Sequence, residues 1–171
     1  VNSNLGLSPW DVFHQGLSKI TGISMGQVSI FVGLIVVIAT IFLKLEIGLG
    51  TIANMILIGV FMDVISYTKI IPTSHNFFVS LLMLLGSLFT MAIGSYLYIG
   101  CEMGCGPRDG LMVALVKKTG KPVGFIRSCI ELGVLVIGFM LGGSVGIGTL
   151  ITVFCLGACI QLVFKVLRFD V

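Results

Sequence analysis

The chain has 171 residues, of which 57% are hydrophobic and only 10% are charged, and its formal net charge is +3. Soluble domains carry about a quarter charged residues, so this chain cannot cover a globule with polar surface. Its apolar content excludes disorder, and the absence of a basic stripe argues against nucleic-acid binding. The composition therefore predicts an integral membrane protein whose main partner is the lipid bilayer.

The first predicted element is a short polar helix over residues 8–21, with capping residues at both ends. About 13 residues reach about 20 Å, which is too short to cross a bilayer. One interpretation is a helix that lies in the membrane interface, with Trp10 in the aromatic belt. The other is a re-entrant half-helix whose N-terminus faces an anionic group inside the protein. Asp11 argues mildly against a bound anion, because it already occupies that N-terminus.

Five apolar runs are long enough to cross about 30 Å of hydrocarbon as helices. They cover residues 25–43, 47–66, 77–100, 123–141 and 145–164. Strands of a membrane barrel would alternate in polarity, whereas these runs are apolar on every face. The fold class predicted is therefore all-α: a polytopic helical membrane protein with two additional short helices.

The second half of the chain repeats the first at an interval of 98 residues. From Gly6 to Val64 the match needs no gap and contains 15 identities in 59 positions, against about five expected by chance. The repeat predicts a second short helix over residues 106–119, in which Asp109 corresponds to Asp11. We interpret residues 1–66 as repeat one and residues 67–171 as repeat two of a single membrane domain.

A complete unit would contain three crossings, so the second unit should be inverted relative to the first, as in inverted-repeat transporters. The partner of the span before Gly100 would fall before Val1. We therefore expect this sequence to be an N-terminally truncated or processed form of a six-helix protein.

The positive-inside rule gives the orientation. With residues 101–122 in the cytoplasm, eight basic residues lie inside and two outside, and the C-terminus is cytoplasmic. The inner set is Lys44, Arg108, Lys117, Lys118, Lys121, Arg127, Lys165 and Arg168, and the outer set is Lys19 and Lys69.

Glu131 falls near the middle of its span, where a carboxylate costs roughly 2.5–3.5 kcal/mol or more and usually faces the protein interior. Arg127 lies one helical turn away and can pair with it. This pair is interpreted either as a structural ion pair or as a proton or cation site. The equivalent of Glu131 in repeat one is Gly33, so the two units differ here.

Two Gly-x-Gly-Thr turns each open a crossing. They provide either tight packing between helices or backbone N–H groups exposed to a substrate oxygen. The candidate substrate-binding residues are Glu131, Arg127, Asp11, Asp109, Gly48, Gly50, Thr51, Gly146, Gly148 and Thr149.

The sequence contains no nucleophile elbow, phosphate-binding loop, dinucleotide fingerprint or metalloprotease motif. Its five cysteines form no Cys-x-x-Cys pair. We therefore predict no catalytic residue, no metal site and no cofactor, and we expect the protein not to be an enzyme.

The paired motifs resemble those of the YczE/YyaS/YitT family of bacterial integral membrane proteins, closest to its YczE-like branch. The motifs are Leu5-Gly-Leu-Ser-Pro-Trp-Asp-Val-Phe-His-Gln-Gly16 and Gly104-Cys-Gly-Pro-Arg-Asp-Gly-Leu-Met112. The resemblance implies a location in a bacterial plasma membrane and this helical fold, with one more helix ordinarily at the start. It implies no activity, substrate or site residue.

Two functions follow from these features. Inverted repeats, short non-spanning helices and a charged pair at mid-depth favour a small-solute transporter or a substrate-binding membrane subunit, with a small polar solute as its ligand. The alternative is a non-transporting membrane accessory or assembly partner, which would bind another membrane protein. A homo-oligomer is also compatible with the sequence.

Overall fold

The computed structural model describes residues 5–43, 47–68, 76–101 and 103–167. Lys44, Lys69 and Arg168 of the predicted charge distribution lie outside these ranges. The described residues form seven helices and no strand, which confirms the all-α fold class. The helices are α1 (Pro9–Thr21), α2 (Met25–Phe42), α3 (Leu49–Thr68), α4 (Phe77–Gly100), α5 (Pro107–Thr119), α6 (Val123–Met140) and α7 (Ile147–Val166).

Five of these helices, α2, α3, α4, α6 and α7, are long and apolar enough to cross a membrane. Their bounds differ from the predicted spans by no more than two residues at any end. The protein is therefore a multi-pass integral membrane protein. Large apolar side chains are exposed along α3 and α4 in particular, as expected for surfaces that contact lipid tails.

The two short helices begin and end as their sequences predict. Ser8 caps α1, since its hydroxyl accepts a bond from Asp11 N–H and donates to the Asp11 carboxylate over 2.7 Å. Gly106 stands at the equivalent position of α5 without a side-chain bond. Gly22 and Gly120 end the two helices at φ 75° and 66°, in the left-handed region that glycine adopts without strain.

The repeat is visible in the helix bounds. Adding 98 to the bounds of α1, α2 and α3 gives those of α5, α6 and α7. Packing between the units is reciprocal as well, because α1 packs mainly on α6 and α5 mainly on α2. Likewise, Gly148 N–H donates to Leu5 O over 2.7 Å, and the equivalent Gly50 N–H donates to Met103 O over 2.9 Å. Such exchange of equivalent contacts is characteristic of a two-fold relation.

The C-terminal ends of α1 and α5 lie at opposite ends of α6. Lys19 Nζ, near the end of α1, donates to Gly142 O over 2.8 Å, just beyond the C-terminal end of α6. Lys121, just after α5, precedes the N-terminal end of the same helix. The 18 residues of α6 separate these two points by about 27 Å.

Both short helices are buried at their N-terminal halves and exposed at their C-terminal ends. Trp10 is 4% exposed and packs with Val28 and Val32 of α2, while Met112 of α5 is fully buried. This placement does not fit an interfacial helix with Trp10 in an aromatic belt. It fits the re-entrant interpretation, because each helix inserts its N-terminus between helices long enough to span.

Candidate functional site

A buried network of charged side chains joins α5 to α6. Arg127 donates from Nη1 to Asp109 Oδ1, and its Nε lies 2.9 Å from Glu131 Oε1. The second contact is an ion pair without good hydrogen-bond alignment, since neither atom has a hydrogen-bond partner. Ser95 of α4 donates to Asp109 Oδ2 over 3.0 Å. One arginine therefore balances two carboxylates, and the triad carries a formal charge of −1.

The triad has almost no access to solvent. The side chains of Arg127, Asp109 and Glu131 are 3%, 9% and 1% exposed. Because desolvated charges are costly unless paired, removal of one partner from such a group typically costs about 3–5 kcal/mol. The pairing of Arg127 with Glu131 agrees with its sequence spacing, whereas Asp109 is a partner that only the tertiary packing provides.

A second arginine side chain, that of Arg108, contacts a residue of the other unit. Its Cζ lies 5.0 Å from the centroid of the Trp10 ring, a cation–π distance. Trp10 and Arg108 are equivalent positions of the repeat, and each lies in the first turn of its short helix or beside it. The N-termini of the two short helices therefore meet here.

A cavity of about 50 Å³ adjoins this contact. Its lining combines the N-terminal ends of both short helices with residues from α2, α3 and α4. The polar lining residues that matter most are Trp10, His14, Ser29, Asn54, Arg108 and Asp109. Gly33 also lines it and is the ninth of the 18 residues of α2, which places the cavity near the middle of that spanning helix.

Three polar side chains of this lining have buried atoms without partners. Trp10 Nε1, both ring nitrogens of His14, and Arg108 Nη2 are buried and make no hydrogen bond. Trp10 and His14 are only 4% and 1% exposed. Buried polar groups are hydrogen-bonded in the great majority of cases, to protein or to water, so these atoms are available to bind a polar molecule in the cavity.

The repeat explains why the cavity exists. The lining residues Ser29 and Gly33 of α2 occupy the positions that Arg127 and Glu131 occupy in α6. Repeat two therefore carries two large charged side chains where repeat one carries a hydroxymethyl group and a hydrogen atom. The missing side-chain volume leaves room between α2 and the N-terminus of α5.

Two charged side chains line the cavity, Arg108 and Asp109, and of these Asp109 is paired with Arg127. Burial, with a further contribution from Arg108, lowers the pKa of His14 from 6.5 to about 3, so this imidazole is neutral at physiological pH. Burial also lowers the pKa of Arg108, and the nearby charges of Asp11 and Glu131 offset only part of that effect. Among the described residues, no carboxylate oxygen forms a salt bridge with Arg108.

The structure brings together only some of the predicted site residues. Asp109, Arg127 and Glu131 form the triad, and Asp109 alone among them lines the cavity. Glu131 is packed against Arg127, so the geometry gives no support for direct contact between Glu131 and a solute. Asp11 is bonded to Ser8 at the start of α1 and acts on the cavity through its charge near Arg108.

The two Gly-x-Gly-Thr turns serve the packing between units. The N–H groups of Gly50 and Gly148 are occupied by carbonyl oxygens of Met103 and Leu5. A Cβ atom at Gly48 would overlap the Met103 carbonyl, and one at Gly146 would overlap that of Leu5. The hydroxyl of Thr149 is buried in the second turn and accepts from Gly146 N–H over 3.1 Å. Thr51 is buried near Gly104, and its hydroxyl has no partner.

Sequence reasoning missed the cavity residues Trp10, His14 and Arg108 as a group. In the sequence His14 lies one turn from Asp11, and this spacing favours a polar contact in the membrane interface over a catalytic pair. The available signal was the repeat itself: Trp10 and Arg108 are equivalent positions at two helix N-termini, and a two-fold relation can bring such positions into contact.

Comparison with known proteins identifies a family and several relatives that match most of this chain. A family of unknown function, DUF6198, matches residues 1–165. An uncharacterized protein of Haemophilus influenzae is 34% identical over 167 residues, which cover 98% of this chain and 76% of the relative. The uncharacterized membrane protein YczE of Bacillus subtilis is 35% identical over 158 residues, covering 92% and 73%.

A third relative, the uncharacterized protein YyaS of Bacillus subtilis, is 30% identical over 167 residues, which cover 96% of this chain and 82% of the relative. No solved structure matches the chain. The resemblance to YczE and YyaS inferred from the paired motifs is confirmed. On the extent of these matches, the chain belongs to the DUF6198 family, whose relatives include the membrane protein YczE.

Proposed function

We propose that this protein is a non-enzymatic small-solute transporter, or the solute-binding membrane subunit of one, and that the solute sits in the cavity between the two units. The observation that carries the proposal is the set of unpartnered buried atoms of Trp10, His14 and Arg108 around that cavity. Solute sites of inverted-repeat transporters lie near the bilayer midplane, where the N-termini of short helices meet.

The packing of the two short helices supports the orientation of the protein in the membrane. Their C-terminal ends, marked by Lys19 and Lys117, lie at opposite ends of α6. This arrangement supports two inverted units. In a bacterial plasma membrane, the positive-inside rule then favours the C-terminal end of α5 and the C-terminus on the cytoplasmic side, while the N-terminus of α5 inserts towards mid-depth. In this proposal the triad of Arg127, Asp109 and Glu131 stabilises the packing of α5 on α6. The solute binds in the cavity, which α5 also lines.

Flux through proteoliposomes tests this function. Three planar probes of similar size but different charge, nitrate, urea and guanidinium, are compared with zwitterionic glycine, and protein-free liposomes give the baseline. We expect flux of at least one probe above that baseline. Gly33→Leu should abolish it, because a Cβ at Gly33 already lies 2.7 Å from Met55 Cγ and the longer side chain fills the cavity.

Gly94→Leu is the matched control, because a Cβ at this helical glycine meets nothing within 4 Å. This variant should retain full flux. Equal flux in the Gly33 and Gly94 variants would reject the cavity as the solute site. Absence of flux for all four probes, combined with stable co-purification of another membrane protein from native membrane, would instead favour the accessory or assembly role.

A further inference from the structure

We infer that the cavity binds a small planar monovalent oxyanion, such as a short carboxylate or nitrate, which the side chains of Arg108, Trp10 and His14 hold at the contact between the two units. This inference rests on the proposed function and specifies the solute class of the same site. In repeat two the carboxylate of Glu131 supplies a negative charge, whereas the equivalent residue of repeat one is Gly33. We infer that a bound anion supplies the negative charge in repeat one.

Hydrogen-bond donors dominate the free polar groups of the cavity. Trp10 Nε1 can only donate, and Arg108 Nη2 can only donate. His14 is neutral and offers one donor and one acceptor. A ligand that satisfies these groups must therefore bring acceptor oxygens, and a guanidinium prefers the paired oxygens of a planar oxyanion.

Salt-bridge pairing in the lining favours an anion over other polar solutes, because Arg108 is the one charged side chain of the described lining without a salt-bridge partner. Asp11 and Glu131 oppose an anion through their charges near Arg108, but neither lines the cavity. Arg108 is the cation of the lining, and its pairing with Trp10 leaves Nη2 free. The one carboxylate of the described lining, Asp109, already accepts from Arg127 and Ser95 through both oxygens. No free carboxylate of that lining therefore remains for the ammonium group of a cation or an amino acid.

The size of the cavity limits the ligand. About 50 Å³ is room for roughly three to five water molecules. A ligand of three to five non-hydrogen atoms fits this space, which matches formate, acetate or nitrate. The phosphodiester head of a lipid does not fit, so the anion is a free solute rather than part of the bilayer.

Equilibrium binding to the purified protein in detergent tests the inference. Trp10 is the only tryptophan of the chain and lines the cavity, so its fluorescence reports on the site directly. The probes are acetate, acetamide and acetamidinium, which share their shape and differ in charge. We expect a saturable change with acetate at constant ionic strength and none with the neutral or cationic probe.

Substitution of the arginine separates charge from packing. Arg108→Gln should weaken acetate binding about tenfold to hundredfold, because a charge-assisted bond is lost. Arg108→Lys keeps the charge, so it should still prefer acetate to acetamide even if its affinity falls. Lys121→Gln removes an exposed cation that lies over Phe125 and is the matched control, with unchanged binding.

The outcomes separate this inference from the proposed function. Saturable binding of acetamide equal to that of acetate, or unchanged acetate binding in Arg108→Gln, overturns the anion assignment while flux of a neutral solute can still stand. A wild-type protein that is monodisperse and helical but gives no saturable change with acetate also overturns it. Should the Gln variant not fold, the preference of Arg108→Lys for acetate decides the result.

Discussion

Neutralisation of Arg127 should destabilise the protein far more than neutralisation of Glu131. Arg127→Gln leaves Asp109 and Glu131, whose side chains are 9% and 1% exposed, without their shared cation. The formal charge of the buried group then changes from −1 to −2. Loss of one partner from a buried ion pair costs about 3–5 kcal/mol, and we expect this range for the free energy of unfolding.

Glu131→Gln should remain within about 1 kcal/mol of the wild type. The Arg127–Asp109 pair stays intact and becomes formally neutral, and the Gln amide keeps the shape of the side chain. The contact that is lost has a distance of 2.9 Å but poor hydrogen-bond alignment. The measurement is unfolding in detergent micelles by titration with dodecyl sulfate, followed by circular dichroism.

Lys121→Gln provides the control, since exposed charges usually contribute less than about 0.5 kcal/mol. Two results would contradict this reasoning: a loss of less than about 1 kcal/mol in the unfolding free energy of Arg127→Gln, or an equal loss in Glu131→Gln. Either would mean that the packing of α5 on α6 does not depend on the charge balance of the triad.

Three further predictions concern a close contact at Gly48, the pH dependence of stability and the orientation of the short helices. Gly48→Ala should lower the unfolding free energy by about 2 kcal/mol or more, since its Cβ meets the Met103 carbonyl, whereas Gly94→Ala should be neutral. Because burial lowers the pKa of His14 to about 3, stability should be full above pH 6.5 and fall from pH 6.5 towards pH 3, and His14→Gln should reduce that slope. In a cysteine-free background, cysteines at Lys19 and Lys117 should react with impermeant reagents from opposite sides of the membrane.

Each of these predictions has a clear contrary result. Equal stability of the Gly48 and Gly94 variants would mean that the turn does not require close approach of the two units. An unchanged acid slope in His14→Gln would place the titrating group elsewhere. Labelling of both engineered cysteines from one side would contradict two inverted units.

The sequence by itself determined the membrane location, the five spanning helices and the two short helices. Periodicity and length suffice for these elements, because a bilayer requires about 20 apolar residues per helix and because backbone caps are local signals. The interval of 98 residues likewise anticipated the helix bounds of α5, α6 and α7. The Arg127–Glu131 pair was predictable because its partners are one turn apart on one helix.

Only the tertiary structure decided which groups share the centre of the molecule. Asp109 and Arg127 lie on different helices, and Trp10 and Arg108 lie in different units. Neither contact can therefore be predicted from the spacing of residues in the sequence. The cavity is the space that the small residues Ser29 and Gly33 do not fill when α2 packs against α5. Local sequence signals set the helices, but a void and its unpaired donors arise only from how several helices pack together.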